Sequence, residues 1–593
     1  MTETPLSSPL TWRDDGLPAS RLYGDVYFSS DDGLAETEAV FLQGCGLTDA
    51  WRGRDRFVVG ELGFGTGLNI AALLELWRRE RPVGGRLHIF SIEVHPITAE
   101  EAARALSRWP QIADAARALI ARWPGQAAGF HRVDLPEFGA VLDVAVMDAR
   151  AALSGWSGAA DAWFLDGFSP ALNPAMWSDE VLALVAQRSA PGARAATFTV
   201  AGQVRRGLAA AGFTVEKKPG YGRKRERLEA FLPAGATSIP KPAPHVAVIG
   251  GGIAGASAAR AVRALGGTAT VFDPRGAGGG ASGNPAALVT PRLDAGDGPA
   301  GRLYAQAFRR AVALYGETPE AIIARGVLQL EAKDKDASRF DRIAASPLFE
   351  PRTLSRLDGE AVAAAMGEAE APGALKLEDA LVIEPAPVLA AWCGEIVRAK
   401  VAGLEAVDGG WHLLGEDGAE LTRADAVILA AGMGVPALHP QTSLQPVRGQ
   451  ASFTDALPAP VAAAFGGYVI PTRDGLLFGA THDRDAGDEA VRAEDDARNL
   501  ANLATRAPRL AERLAGTPLR ARAAIRATTA DRLPTAGAAG DGLYLLTGMG
   551  SRGFCAAPLL AEHIAALICD APSPLPHDLA ASVAPGRFEA RGR

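Results

Sequence analysis

Two glycine-rich turns, each set between an apolar run and a helical pattern, are the features of this sequence whose spacing speaks most directly of chemistry. In the first, ELGFGTGLN, Gly63, Gly65 and Gly67 let the backbone approach a ligand closely and aim helix-terminal N–H groups at it. A nucleotide-like cofactor is the natural guest. Glu93 closes the next apolar run, where a carboxylate can accept both hydroxyls of a ribose. Asp148, in VAVMDARAAL, and Asp166, in WFLDGFSPALNPAMW, each follow a further strand-like run. Open α/β sheets bind ligands at the C-terminal ends of their strands, so these residues are expected in one crevice. Helix N-capping is the alternative role for Asp148 and Asp166, because Asp is a preferred cap.

The second turn lies in HVAVIGGGIAGASAARAVRALGGTATVFDP, with Gly250-x-Gly252-x-x-Gly255 and Asp273 at the end of the following strand-like run. That is the dinucleotide pattern in its full setting, with pyrophosphate expected on the helix N-terminus and Asp273 on a ribose. A third feature is EKKPGYGRKRER, six basic residues against two acidic ones. Its Lys217, Lys218, Arg223, Lys224 and Arg225 suit phosphate contact, and the competing reading is a solvated, ion-paired face.

The elements that must hold these residues follow from pattern. Apolar runs at 57–59, 87–92, 141–146, 162–165 and 195–200 alternate with helical stretches, which predicts a parallel α/β sheet. After the second turn, short alternating runs at 327–330, 375–383, 451–454 and 468–479 predict a mixed or antiparallel sheet inserted into the nucleotide domain. The chain then returns with ADAVILAAG and GLYLLTGMG. Between the halves, FLPAGATSIPKPAPH carries four prolines and no periodicity, as a linker does. The expected division is therefore 1–235, a linker at 236–245, and 246–593.

With 593 residues, 48% hydrophobic and 22% charged, the chain builds real cores, and disorder is excluded. A formal net charge of −8 gives it no general attraction for polyanions, so any nucleic-acid site must be a local patch. Four cysteines without C-x-x-C or Cys/His ligand spacing argue against disulfides and structural zinc, and no metal site is expected. The opening MTETPLSSPL lacks the basic start and apolar run of a signal peptide, so none is expected, and no apolar run reaches the roughly 18 residues of a membrane span. A cytoplasmic setting is expected, and nothing points to an obligate protein partner.

The first turn resembles that of S-adenosylmethionine-dependent methyltransferases, in which Asp148 would hold the adenine amine. DGFSP is similar to the acidic, proline-bearing loops with which amino-group methyltransferases hold an acceptor. An amine must lose its proton before it attacks a methyl sulfonium, and Asp166 is expected to orient the amine and assist that loss. The second half resembles FAD-dependent amine oxidoreductases of the D-amino-acid oxidase type, through GGGASGN with Ser282, PVRGQ, IRATTADRLPTAG and GMGSRGF. That resemblance implies that Gly550 and Gly553 approach the flavin and that Arg526 pairs with a substrate carboxylate.

The pairing of the two halves resembles the bifunctional enzymes of 5-methylaminomethyl-2-thiouridine biosynthesis in bacterial tRNA. The resemblance is carried by WRDDGLPASRLYGDVYFSSDDGLAETEAVFL, ELGFGTGLN, WFLDGFSPALNPAMW, AGFTVEKKPGYGRKRE and GASGN. It implies a Rossmann-like methyltransferase domain followed by an FAD-binding α/β domain with an inserted substrate domain. The C-terminal half would remove the carboxymethyl group from 5-carboxymethylaminomethyluridine of tRNA, and the N-terminal half would methylate the amine left behind. FAD, S-adenosylmethionine and tRNA are the ligands so implied. The alternative is a fused oxidase and N-methyltransferase of small free amines.

Overall fold

A computed structural model describes residues 8–222, 225–235, 243–484 and 486–591, with side chains described through residue 588. The chain divides into two compact units, Met1–Lys241 and Pro242–Arg593.

The first unit is built on an eight-stranded sheet. Its strands are β1 (Arg56–Leu62), β2 (Arg86–Glu93), β3 (Gly129–Leu135), β4 (Ala140–Val146), β5 (Ala160–Leu165), β6 (Ser189–Thr197), β7 (Thr214–Pro219) and β8 (Glu226–Phe231), in the spatial order β3-β4-β2-β1-β5-β6-β8-β7. The five central strands are parallel. They carry the five runs expected to form a parallel sheet, and the strands outside that expectation flank them. At one edge β3 pairs antiparallel with β4, and at the other β8 pairs antiparallel with both β6 and β7. The connection from β3 to β4 and the hairpin from β7 to β8 are too short for the helical crossover that parallel pairing requires.

Side chains of the central strands alternate between two cores. Phe57 and Val59 of β1 join one, with Leu87 and Ile89 of β2, while Val58, Leu62, Phe90 and Ile92 join the other. Burial on both faces explains why these strands read as continuous apolar runs. Helix α1 (Leu68–Glu80) leaves the end of β1 and α2 (Ala149–Gly155) follows β4. This brings the Gly63–Gly67 turn, Glu93, Asp148 and Asp166 to the C-terminal edge of the sheet.

The second unit opens with β9 (His245–Ile249), so the linker ends before His245; most of it, 236–242, lies outside the described residues. Helix α3 (Ile253–Ala264) follows, then β10 (Thr268–Phe272), β11 (Ile396–Val397), β12 (Ala426–Leu429), β13 (Thr535–Gly540) and β14 (Leu543–Thr547). The spatial order is β11-β10-β9-β12-β14-β13, with only the last pair antiparallel. Helix α4 (Gly553–Ile568) returns from β14. A separate ten-stranded mixed sheet carries Ile322–Leu330, Ala374–Ile383, Gln445–Thr454, Tyr468–Pro471, Leu476–Gly479 and Arg520–Thr528, which realises the expected insertion. No helix of the described residues is long and apolar enough to cross a membrane.

Candidate cofactor and substrate sites

In the first unit, Gly63, Gly65 and Gly67 all have positive φ, of 85°, 52° and 75°. A Cβ on Gly63 would lie 3.1 Å from Gly167 Cα, so the two loops bounding the crevice touch through glycine backbone. The Gly65 amide donates to Glu93 Oε2 at 2.9 Å and the His95 amide donates to Glu93 Oε1 at 2.9 Å. The ribose-binding carboxylate expected at position 93 is thereby aimed by the turn itself. Asp148 does cap α2, accepting from the Ala151 amide at 3.0 Å through one oxygen. Asp166 caps nothing, because the next helix begins at Asp179 behind the cap Ser178.

Asp166 is instead held at both oxygens. Oδ1 accepts from the Gly167 amide at 2.8 Å and Oδ2 from Asn69 Nδ2 at 2.8 Å. The same Asn69 amide donates to Glu61 Oε1 at 3.1 Å and accepts from the Thr37 hydroxyl at 2.8 Å. Glu61 is fully buried and its other oxygen accepts from Ser91. Burial pushes the Glu61 carboxyl well above the usual carboxylate range, and the charges of Asp166 and Glu93 push it further. One amide therefore bridges the half-buried Asp166 carboxylate and a fully buried carboxyl whose protonated form burial favours. Asn69 closes the ELGFGTGLN motif, and Glu61 is an acid inside an apolar strand pattern; both signals were present in the sequence and were not read as site residues.

The second unit contains a cavity of about 1390 Å³. It runs along Gly250, Gly252, Asp273 and Ser282 to Gly550 and Gly553, and reaches Tyr468, His482 and Arg526. A Cβ on Gly255 would sit 1.8 Å from the Gly250 carbonyl oxygen, and one on Gly250 would sit 2.5 Å from that of Ala430. Only glycine lets the turn and α3 close to this degree. The Gly251 amide donates to Asp273 Oδ2 at 2.8 Å and the Ile253 amide to Ser282 Oγ at 3.0 Å. A cradle of this length, with a carboxylate at one end and α3 pointing its N-terminus at the middle, fits an extended dinucleotide such as FAD.

At the other end lies Arg526, on the strand Arg520–Thr528. A Cβ on the neighbouring Gly449 would fall 2.3 Å from its guanidinium, so the glycine of PVRGQ opens the lane along which Arg526 extends. Burial lowers the Arg526 guanidinium below its ordinary value, with the Tyr468 phenol opposing. Among the described residues no carboxylate pairs with Arg526, whereas Arg448 on the adjacent strand is buried against Asp495 at 2.6 Å. An unpaired, recessed guanidinium is costly unless an anion completes it.

The basic run lies on the β7–β8 hairpin. Lys217 and Lys218 occupy successive positions of β7, so they point to opposite faces. They pair with Glu226 at 2.7 Å and Glu216 at 2.6 Å. Arg225 is exposed, and Arg223 and Lys224 lie outside the described residues. The described part has the ion-paired character of the competing reading. Among the described residues no cluster of His, Cys, Asp and Glu is suited to a metal.

Residues 245–567 match the family model described as FAD dependent oxidoreductase, and residues 110–233 match that described as S-adenosyl-L-methionine-dependent methyltransferase. The chain is 62% identical to the tRNA 5-methylaminomethyl-2-thiouridine biosynthesis bifunctional protein MnmC of Caulobacter sp. (strain K31), over 99% of this chain and 98% of that one. The chain belongs to the MnmC family. A member from Maricaulis maris (strain MCS10) is 42% identical over 98% of this chain and 96% of its own. Among solved structures, glycine oxidase from Geobacillus kaustophilus is similar, at 22% identity and a TM-score of 0.49, over 56% of this chain and 96% of that one.

MnmC membership gives the two halves their cofactors, S-adenosylmethionine for the first and FAD for the second. The methyltransferase match begins after the Gly63–Gly67 turn, so the reading of that turn rests on its geometry. Sequence reasoning also passed over the residues that cover this turn. Tyr27 packs on Gly65, where a Cβ would lie 3.2 Å from its ring, and the Ser169 amide donates to Asp25 Oδ2 at 3.1 Å. In the second unit it passed over His482, whose imidazole burial lowers, with Arg526, Arg484 and Arg532 adding to the effect.

Proposed function

We propose that the two crevices carry out successive steps on one wobble-uridine side chain of tRNA, the carboxymethyl group being removed in the C-terminal half and a methyl group added in the N-terminal half. The observation that carries this reading is the opposite chemistry of the two sites. Arg526 offers a guanidinium to the carboxylate of the carboxymethyl group, by bidentate pairing. Asp166 offers a carboxylate to the amine that remains once that group has gone.

In the C-terminal half, Asp273 and the α3 N-terminus would hold the ribose and pyrophosphate of FAD, and Gly550 and Gly553 would give the ring system room. When bound, FAD supplies the acceptor for a hydride from the carbon next to nitrogen. Arg526 fixes that carbon's orientation by gripping its carboxylate. Hydrolysis of the resulting imine releases glyoxylate and leaves 5-aminomethyluridine.

In the N-terminal half, Glu93 would take the ribose hydroxyls of S-adenosylmethionine and the free oxygen of Asp148 its adenine amine. The sulfonium supplies the methyl group. Asp166 accepts a hydrogen bond from the acceptor ammonium and assists loss of its proton, which frees the lone pair that attacks. Asn69 keeps that carboxylate turned toward the crevice. The reading places the protein with its tRNA substrate in the cytoplasm, with exposed Arg225 of the β7–β8 hairpin offering one phosphate contact.

Nucleoside mass spectrometry tests this on tRNA bearing carboxymethylaminomethyluridine. The full-length protein should yield aminomethyluridine without S-adenosylmethionine and methylaminomethyluridine with it. Unchanged nucleoside from flavin-loaded protein would move the assignment to small free amines.

A further inference from the structure

Three stretches far apart in sequence meet at the mouth of the methyltransferase crevice: 20–28, 93–97 and 166–173. The Tyr23 ring lies 4.9 Å from that of Phe168 and 6.3 Å from that of His95. Behind them the Tyr27 ring meets Phe168 edge-on at 5.3 Å. Each stretch also holds an aliphatic side chain in water: Leu22 is 65% exposed, Val94 41% and Leu172 48%. Single exposed aliphatics are ordinary, but each of these lies next in sequence to one of the rings or on the same loop, so the three ring-bearing stretches all add apolar side chain exposed to water.

We propose that Tyr23, His95 and Phe168, edged by Leu22, Val94 and Leu172, are the platform on which this half stacks the pyrimidine ring that carries the acceptor amine. The proposal rests on the tRNA reading and deepens it. A small free amine needs a carboxylate and nothing more, whereas a rim of flat rings and aliphatic edges matches the face of an unstacked base. Bases splayed out of single-stranded RNA are held by such stacking. The dimensions agree, because an aminomethyl group puts its nitrogen only two bonds from the ring. A base whose amine reaches Asp166 must lie beside that residue, and Phe168 is two positions further along the same loop.

The test uses full-length, flavin-loaded protein and tRNA already carrying aminomethyluridine. Methylation rates against tRNA concentration are measured for wild type, Phe168→Leu, Tyr23→Leu, the aromatic replacements Phe168→Tyr and Tyr23→Phe, and the exposed-edge changes Leu22→Ser and Leu172→Ser. Calorimetry gives the affinity for S-adenosylmethionine, and the oxidation step reports on the fold of the rest of the chain. The leucine variants should raise KM for tRNA by about tenfold or more, since base–aromatic stacking contributes about ten- to a hundredfold in binding. The aromatic replacements should restore it, the serine variants should raise it by about two- to fivefold, and donor affinity should stay within about twofold throughout. Unchanged KM in both leucine variants would overturn the platform, as would failure of the aromatic replacements to rescue or a parallel loss of donor affinity. A wild-type protein that leaves aminomethyluridine untouched would remove the tRNA reading and the platform with it, an outcome visible before any variant is made.

Discussion

The two glycine turns are built alike and the two substrate groups are not. In each half a turn amide donates to the acid at the end of the next strand, Gly65 to Glu93 and Gly251 to Asp273, so each carboxylate proposed to hold a ribose is aimed by the neighbouring loop. The substrate groups differ in how finished they are. Asp166 has partners on both oxygens and a buried carboxyl behind the amide that holds it, whereas Arg526 extends past Gly449 with no carboxylate among the described residues. In the roles proposed above, Asp166 takes a proton from a fixed position and Arg526 keeps its hydrogen bonds for an anion.

The comparison breaks most decisively at the turns. Gly255→Ala places a methyl group within 1.8 Å of the Gly250 carbonyl, so the purified variant should be colourless and lose oxidation entirely while still methylating aminomethyl-tRNA. Loss of both activities would show that the two units do not fold independently. Next in size is Asp166→Ala, for which methylation should fall by about 10²–10⁴ in kcat at unchanged oxidation, the span expected for a lost acid–base group. A fall in oxidation as well would count against its assignment to one half.

Arg526→Met removes a paired, charge-assisted contact whose hydrogen bonds contribute about 1.5–3 kcal/mol each. Oxidation of the carboxymethylated substrate should weaken by about a hundredfold in kcat/KM with flavin retained, and Arg526→Lys should fall between. Flavin loss from either variant would make Arg526 part of the cofactor cradle instead. The smallest effect sharpens the other side of the comparison. Because the folded state raises the Glu61 carboxyl, the stability it contributes is fully present below the ordinary glutamate value of 4.5 and is lost as pH rises toward the raised value. Glu61→Gln, which keeps the bond to Asn69, should therefore gain Tm over wild type progressively from pH 5 to 9, scanned by calorimetry at about one-unit steps. A constant difference across that range would mean that Glu61 is ionised in the folded protein.

Much of this was legible in the sequence, for identifiable reasons. Apolar strands followed by glycine turns announce themselves locally, and the turns at 63–67 and 250–255 fell where expected, as did the inserted sheet. The antiparallel edges were missed because RVDL and TVEKK carry no signal of direction, which depends on the length of the connection rather than on the strand. The phosphate-contact reading of the β7 lysines could not be weighed from sequence, because a charge run hides the two-residue alternation that sends Lys217 and Lys218 apart to separate glutamates. Asn69 and Glu61 went unread as site residues because their roles depend on a partner 97 positions away in one case and on Ser91 in the other.

Asn69 has a further consequence. Both of its amide protons are committed, one to the Asp166 carboxylate and one to the Glu61 carboxyl, which is sealed in the sheet and whose protonated form burial favours. Any change at Asp166 when an amine binds must alter how strongly that amide polarises Glu61. A protonated carboxyl absorbs in the infrared apart from ionised acids, so wherever Glu61 holds its proton the sheet carries a label-free spectroscopic reporter for the acceptor site proposed at Asp166.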